Sequence, residues 1–103
     1  MNYQPRIGED GVSEILISGQ LTFTDLDRFR TMFQLVEYST AKYWRLDLSK
    51  VETIDSSALG ILLLMQDDLK SRQVALDIVT TNPRLQQIRL LDATNGIWLK
   101  ASP

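Results

Sequence analysis

The chain has no cysteine and no histidine among its 103 residues. Without cysteine there is no disulfide and no thiol nucleophile. Without histidine the commonest general base and a principal zinc ligand are missing. A hydrolase triad would have to be of the rare Ser–Lys type, and no GxSxG, P-loop or metal-ligand spacing occurs. No cofactor is therefore expected. Glycine and proline are sparse, five and three residues, and lie mostly at element boundaries, so there is no linker or low-complexity tract. Long apolar runs are also missing. The longest, Ile61 to Met65, is far short of the ~20 residues that span a bilayer. The net charge is −2 with no basic block, which argues against nucleic acid as the main ligand. Met1-Asn2-Tyr3-Gln4-Pro5 has none of the features of a signal peptide. These absences lead to an expectation of a cytoplasmic protein without membrane insertion.

What is present is an ordinary globular composition, 44% apolar and 23% charged. A chain of this length can bury one core, so residues 1–103 are expected to form a single domain. Ser13 to Gly19 is β-rich and follows a hairpin turn at Gly8-Glu9-Asp10-Gly11, which makes Tyr3 to Ile7 a partner strand. Thr24-Asp25 opens a helix on which Leu26, Phe29, Met32 or Phe33, and Val36 recur at helical spacing. Tyr43 to Ser49 alternates as a strand with Trp44, Leu46 and Leu48 on one face. Val51 to Asp55 reads as a short connection. Ser56 or Ser57 then caps a helix from about Ser57 to Arg72, and Val74 to Val79 is another strand. Asn82-Pro83 starts a third helix with Leu85, Ile88 and Leu91 on one side. Ile97-Trp98-Leu99 ends the chain as a short strand. The expected fold is α/β, with a mixed central sheet of four to five strands packed by three or four helices. Its order is β-β-α-β-α-β-α, with a terminal strand.

Asp55-Ser56-Ser57-Ala58-Leu59-Gly60 is the segment that carries chemistry. Two serines stand at a helix N-terminus, where unpaired N–H groups and the helix dipole suit a phosphate. The turn follows the carboxyl end of a parallel strand, where open α/β sheets form their crevices. From Ala58 to Met65 every residue but Gly60 is apolar. One face, Ala58, Leu62, Met65 and Leu69 with Ile61 beside it, suffices for the core, which leaves Leu59 and Leu63 for a partner, a covering loop or a homodimer contact, the partner being favoured. Gly60 suggests close approach of another backbone or of a ligand. On spacing alone, helix capping without further function accounts for Asp-Ser-Ser better than recognition does.

Val51-Glu52-Thr53-Ile54-Asp55-Ser56-Ser57-Ala58-Leu59-Gly60-Ile61-Leu62-Leu63 resembles the signature of STAS domains, the bacterial anti-sigma factor antagonists. Ile15 to Leu21, with its Gly19-x-Leu21 ending, is similar to the family's early strand. Arg45 to Ser49 is similar to the strand before the signature, and Asn82-Pro83 to the start of the third helix. The resemblance implies a partner-switching protein with no enzymatic activity of its own. Unphosphorylated, it would bind an anti-sigma factor serine kinase. The kinase would inactivate it by phosphorylating the serine after the motif aspartate, here Ser56, with Ser57 as the alternative. A PP2C-type phosphatase would reverse this. The implied partner surface is Thr22, Asp55, Ser56, Ser57, Leu59, Gly60 and Leu63. The oligomeric state is left open between monomer and weak dimer.

Two positions depart from the family pattern. Ala58 replaces a glycine, and Thr22 stands where sporulation-type antagonists carry aspartate. They favour a branch with another regulatory task. The alternative is a STAS interaction module in a sensor complex or in transporter regulation. A receiver-like phosphoacceptor at Asp47 lacks the acidic pair and the lysine that such domains need, and nothing points to catalysis.

Overall fold

A computed structural model describes residues 1–81 and 99–101. Five strands form one sheet in sequential order: β1 (Asn2–Ile7), β2 (Ser13–Leu21), β3 (Tyr43–Ile54), β4 (Ala75–Thr80) and β5 (Leu99–Ala101). Only the β1–β2 hairpin is antiparallel. The other pairs are parallel. A 3-10 turn (Phe23–Asp25) leads into helix α1 (Leu26–Tyr38), and helix α2 (Ser56–Ser71) joins β3 to β4. The helix expected from Asn82-Pro83 lies outside the described residues, as do Ile97 and Trp98 of the last expected strand.

A right-handed crossover that steps repeatedly in one direction places its helices on one face of the sheet. The buried residues agree with that. Ile15, Leu46 and Ile78 are neighbours across β2, β3 and β4, and they share a core with Phe29, Met32 and Val36 of α1 and Ala58, Leu62, Met65 and Leu69 of α2. Both apolar faces match the sequence expectation except at Leu26. That residue occupies the first position of α1 and is 47% exposed.

The adjacent row across the sheet, Arg6, Glu14, Arg45 and Asp77, is polar. Glu14 is a buried carboxylate held by two guanidiniums, Arg6 on one oxygen and Arg45 at 3.2 Å on the other. Paired in this way, the charge avoids most of the penalty of burial without a partner. Arg45 also binds Asp10 at 2.6 Å. Hydrogen bonds from Arg45 and then from the Val12 N–H hold the Asp10 carboxyl below the usual carboxylate range.

β3 differs from expectation at its end. Val51 to Ile54, read above as a connection, continues the strand. Val51 pairs with Gly19, Thr53 with Gln20 and Ile54 with Leu21. Two irregularities in register, near Leu16–Ser18 and Gly19–Gln20, absorb the extra residues of the longer strand. Gly19 sits at φ +91°, a conformation that costs any residue with a Cβ.

Two expected outcomes follow. Leu46→Ala, at the centre of the buried row, should destabilise the fold by about 2–5 kcal/mol through cavity formation. Gly19→Ala should cost about 1–2 kcal/mol through left-handed strain. Urea titration of each variant checks both, as a lowered midpoint at unchanged slope.

Candidate functional site

β2 and β3 end side by side at Leu21 and Ile54, so both following turns leave the sheet at the same edge. Asp55 is the only residue between β3 and α2. Its extended backbone, φ −86° and ψ 168°, makes it the N-cap, and its Oδ1 accepts the Ala58 N–H at 2.7 Å. The cap is therefore Asp55 rather than Ser56 or Ser57. The strand runs one residue short of Asp55, so the helix opens at Ser56 and the carboxylate takes the capping place.

Asp55 also reaches across to the other turn. Its N–H donates to the Leu21 carbonyl at 3.0 Å. Its Oδ2 accepts the Phe23 N–H at 3.3 Å, thirty-two residues away in sequence. One carboxylate thus serves a helix terminus and a neighbouring loop. Ser56 and Ser57 follow in the first turn of α2 with both side chains exposed.

Thr22 lies beside this turn but makes no link to it. Its hydroxyl pairs with that of Thr24 at 2.6 Å, and its N–H donates to Asp25 Oδ2 at 3.0 Å. The Met1 ammonium meets Asp25 Oδ1 at 3.0 Å. The Thr22 N–H and then this ammonium hold the Asp25 carboxyl below its ordinary value.

The exposed apolar surface differs from the one expected. Leu59 and Leu63 are half-buried. The exposed leucine of α2 is Leu64, 71% accessible, and Phe23 at 64% and Leu26 are exposed at the start of the neighbouring helical segment. At about 100° per residue Leu64 stands some 200° from Leu62, away from the buried stripe. On the same wheel Ser57, Gly60 and Leu64 share one side of α2. A Cβ built on Gly60 would meet nothing within 4 Å, and its φ is not left-handed. The fold does not require glycine there, although glycine costs a helix roughly 1 kcal/mol against alanine. Phe23, Leu26 and Leu64 are the residues that sequence reasoning left out of the site. Phe23 in particular gave no sequence signal, because its N–H meets Asp55 only once the strands have paired.

No group of His, Cys, Asp or Glu side chains among the described residues is arranged to hold a metal ion. No helix among them is long and apolar enough to cross a membrane.

A family model described as "Mlab, STAS domain" matches residues 8–94. No curated protein sequence matches the chain. Among solved structures, the anti-sigma factor antagonist SpoIIAA in its unphosphorylated form is similar at a TM-score of 0.75. The identity is 12%, over 99% of this chain and 89% of that one. An anti-sigma factor antagonist from Mycobacterium paratuberculosis is similar at 0.69, with 23% identity, over 99% and 86%. The phosphorylated form of SpoIIAA, a Bacillus cell fate determinant, is similar at 0.70, with 13% identity, over 99% and 92%. At these identities the likeness to solved structures is one of fold.

The depressed Asp25 carboxyl sets a pH dependence. A carboxyl held lower in the folded state contributes stability that is present above its unfolded value, about 3.9, and is lost as pH falls through the folded value. Asp25→Asn should therefore melt below the wild type at pH 6. The gap should narrow steadily at pH 4 and pH 3 in thermal scans.

Proposed function

The chain belongs to the STAS domain family, and we propose that it acts there as an anti-sigma factor antagonist switched off by phosphorylation of Ser56. The observation that carries the reading is the exposed serine placed directly after the capping Asp55, at the N-terminus of α2. Unphosphorylated, the chain binds an anti-sigma factor serine kinase, so the sigma factor is released. The kinase then moves the γ-phosphoryl group of ATP to Ser56 Oγ. The new O–P bond replaces the bond to the β-phosphate oxygen, ADP leaves, and the hydroxyl proton passes to a base of the kinase. A PP2C-type phosphatase returns the hydroxyl by hydrolysis, releasing inorganic phosphate. Ser57, one residue on and also exposed, is the alternative acceptor. The chain itself is a binding protein without catalysis, and it works in the cytoplasm as one STAS domain.

The physics of such a switch is sufficient. A phosphate adds about −1.5 to −2 charges at pH 7. Set ~4 Å from an acidic group of the partner at an effective dielectric near 20, each charge costs on the order of 4 kcal/mol. That is close to ~10³ in affinity. The phosphate sits at a helix terminus that tolerates an anion, so the loss falls on binding and spares the fold.

The partner surface comprises Thr22, Asp55, Ser56, Ser57, Leu59, Gly60 and Leu63, extended by Phe23, Leu26 and Leu64. A second reading is a STAS interaction module in a sensor complex or in transporter regulation. Thr22 favours it, since that position offers a hydroxyl already paired with Thr24 and no carboxylate.

Mass spectrometry of peptides from the native protein should find one phosphate on Ser56. Ser56→Glu should weaken capture of the anti-sigma factor kinase from native lysate by a factor approaching ~10³, while Ser56→Ala retains it. Equal binding by all three proteins would sink the switch. Recovery of a different stable partner would favour the second reading.

A further inference from the structure

We propose that Asp55 is a positioning residue, one that holds the Phe23 turn in register with Ser56 so that both are presented as one surface. This rests on the reading of Ser56 as the switch. It assigns Asp55 a second role, ordering from within the surface to which it belongs. Both carboxylate oxygens are engaged internally, Oδ1 with the Ala58 N–H at 2.7 Å and Oδ2 with the Phe23 N–H at 3.3 Å. The residue is half-buried, whereas the serines beside it and Phe23 opposite are exposed. Its main chain repeats the tie through the Leu21 carbonyl.

Capping alone does not account for this geometry. An N-cap needs one acceptor oxygen for one helical N–H, and serine, asparagine or aspartate supplies it about equally. The second oxygen reaches a different element. It fixes the backbone of a residue that is 64% exposed and adds little to the core. An exposed ring on a loop wanders unless its backbone is held. A loop that must be ordered during binding loses affinity through the entropy of ordering. A carboxylate bridging the two turns removes that cost beforehand. A partner that reads Ser56 then meets Phe23, Leu26 and Leu64 at fixed positions.

The bridge and the cap separate by substitution. Asp55→Ser keeps one short acceptor for the Ala58 N–H and cannot also reach Phe23. Asp55→Ala loses both. Amide exchange by NMR, on the chain alone, reads each bond. In Asp55→Ser the Phe23 amide should exchange at least ~10-fold faster, with the Ala58 amide protected and the urea midpoint near wild type. In Asp55→Ala both amides should exchange faster. Binding to the kinase recovered with the wild-type chain should weaken about tenfold for Asp55→Ser, mainly through faster dissociation. An unchanged Phe23 amide in Asp55→Ala would overturn the bridge. A faster Phe23 amide with wild-type binding would overturn its role in presentation. If the wild-type chain recovers no kinase at all, the switch reading fails, and the exchange result still decides whether Asp55 holds the two turns together.

Discussion

The hydrogen bonds of Asp55 join two turns that would otherwise be independent. β2 and β3 run parallel and end level at Leu21 and Ile54, so the chain leaves the sheet twice within a few ångströms. A parallel pair gives no hairpin to connect such exits. Asp55 supplies the connection with its N–H on the Leu21 carbonyl and its carboxylate shared between Ala58 and Phe23. The first turn of α2 and the backbone of Phe23 are both tied to that one residue.

The fold below the site is arranged to keep this edge steady. Sequential parallel strands put α1 and α2 on one face, where apolar residues from three strands and two helices meet. Stability is supplied there by burial. The polar row on the sheet is held by Glu14 between Arg6 and Arg45. Neither arrangement uses Phe23, Leu26 or Leu64, which are all exposed. Nor does the packing use Gly60, around which a side chain would find open space. Phe23 is tied to Asp55, and Ser57, Gly60 and Leu64 share one side of α2, so the core does not account for these residues.

Much of this was legible because periodicity is local. The alternation of Trp44, Leu46 and Leu48 marked β3, and the spacing of Ala58, Leu62, Met65 and Leu69 marked the buried stripe of α2. Phe29, Met32 and Val36 did the same for α1. The end of β3 was not legible. Val51 to Ile54 alternates poorly, and the register irregularities that let it pair are set by the partner strand. The cap was misplaced for the same reason, since a strand that stopped at Ser49 left Asp55 inside a loop. The exposed leucine was misjudged because burial depends on which flank of α2 its neighbours cover. Leu59 and Leu63 are half-buried whereas Leu64 is exposed.

The sequence by itself determined the α/β class, the hairpin, the apolar faces and the serine turn at a helix start. Each of these depends on residues within a few positions of one another, through side-chain periodicity and backbone preference. Only the tertiary structure decided that Asp55 is the cap, that Phe23 is its second partner and that Leu64 is the leucine of α2 left exposed. Those facts depend on strands brought level by pairing over more than thirty residues of sequence. No local pattern encodes where two such ends will meet.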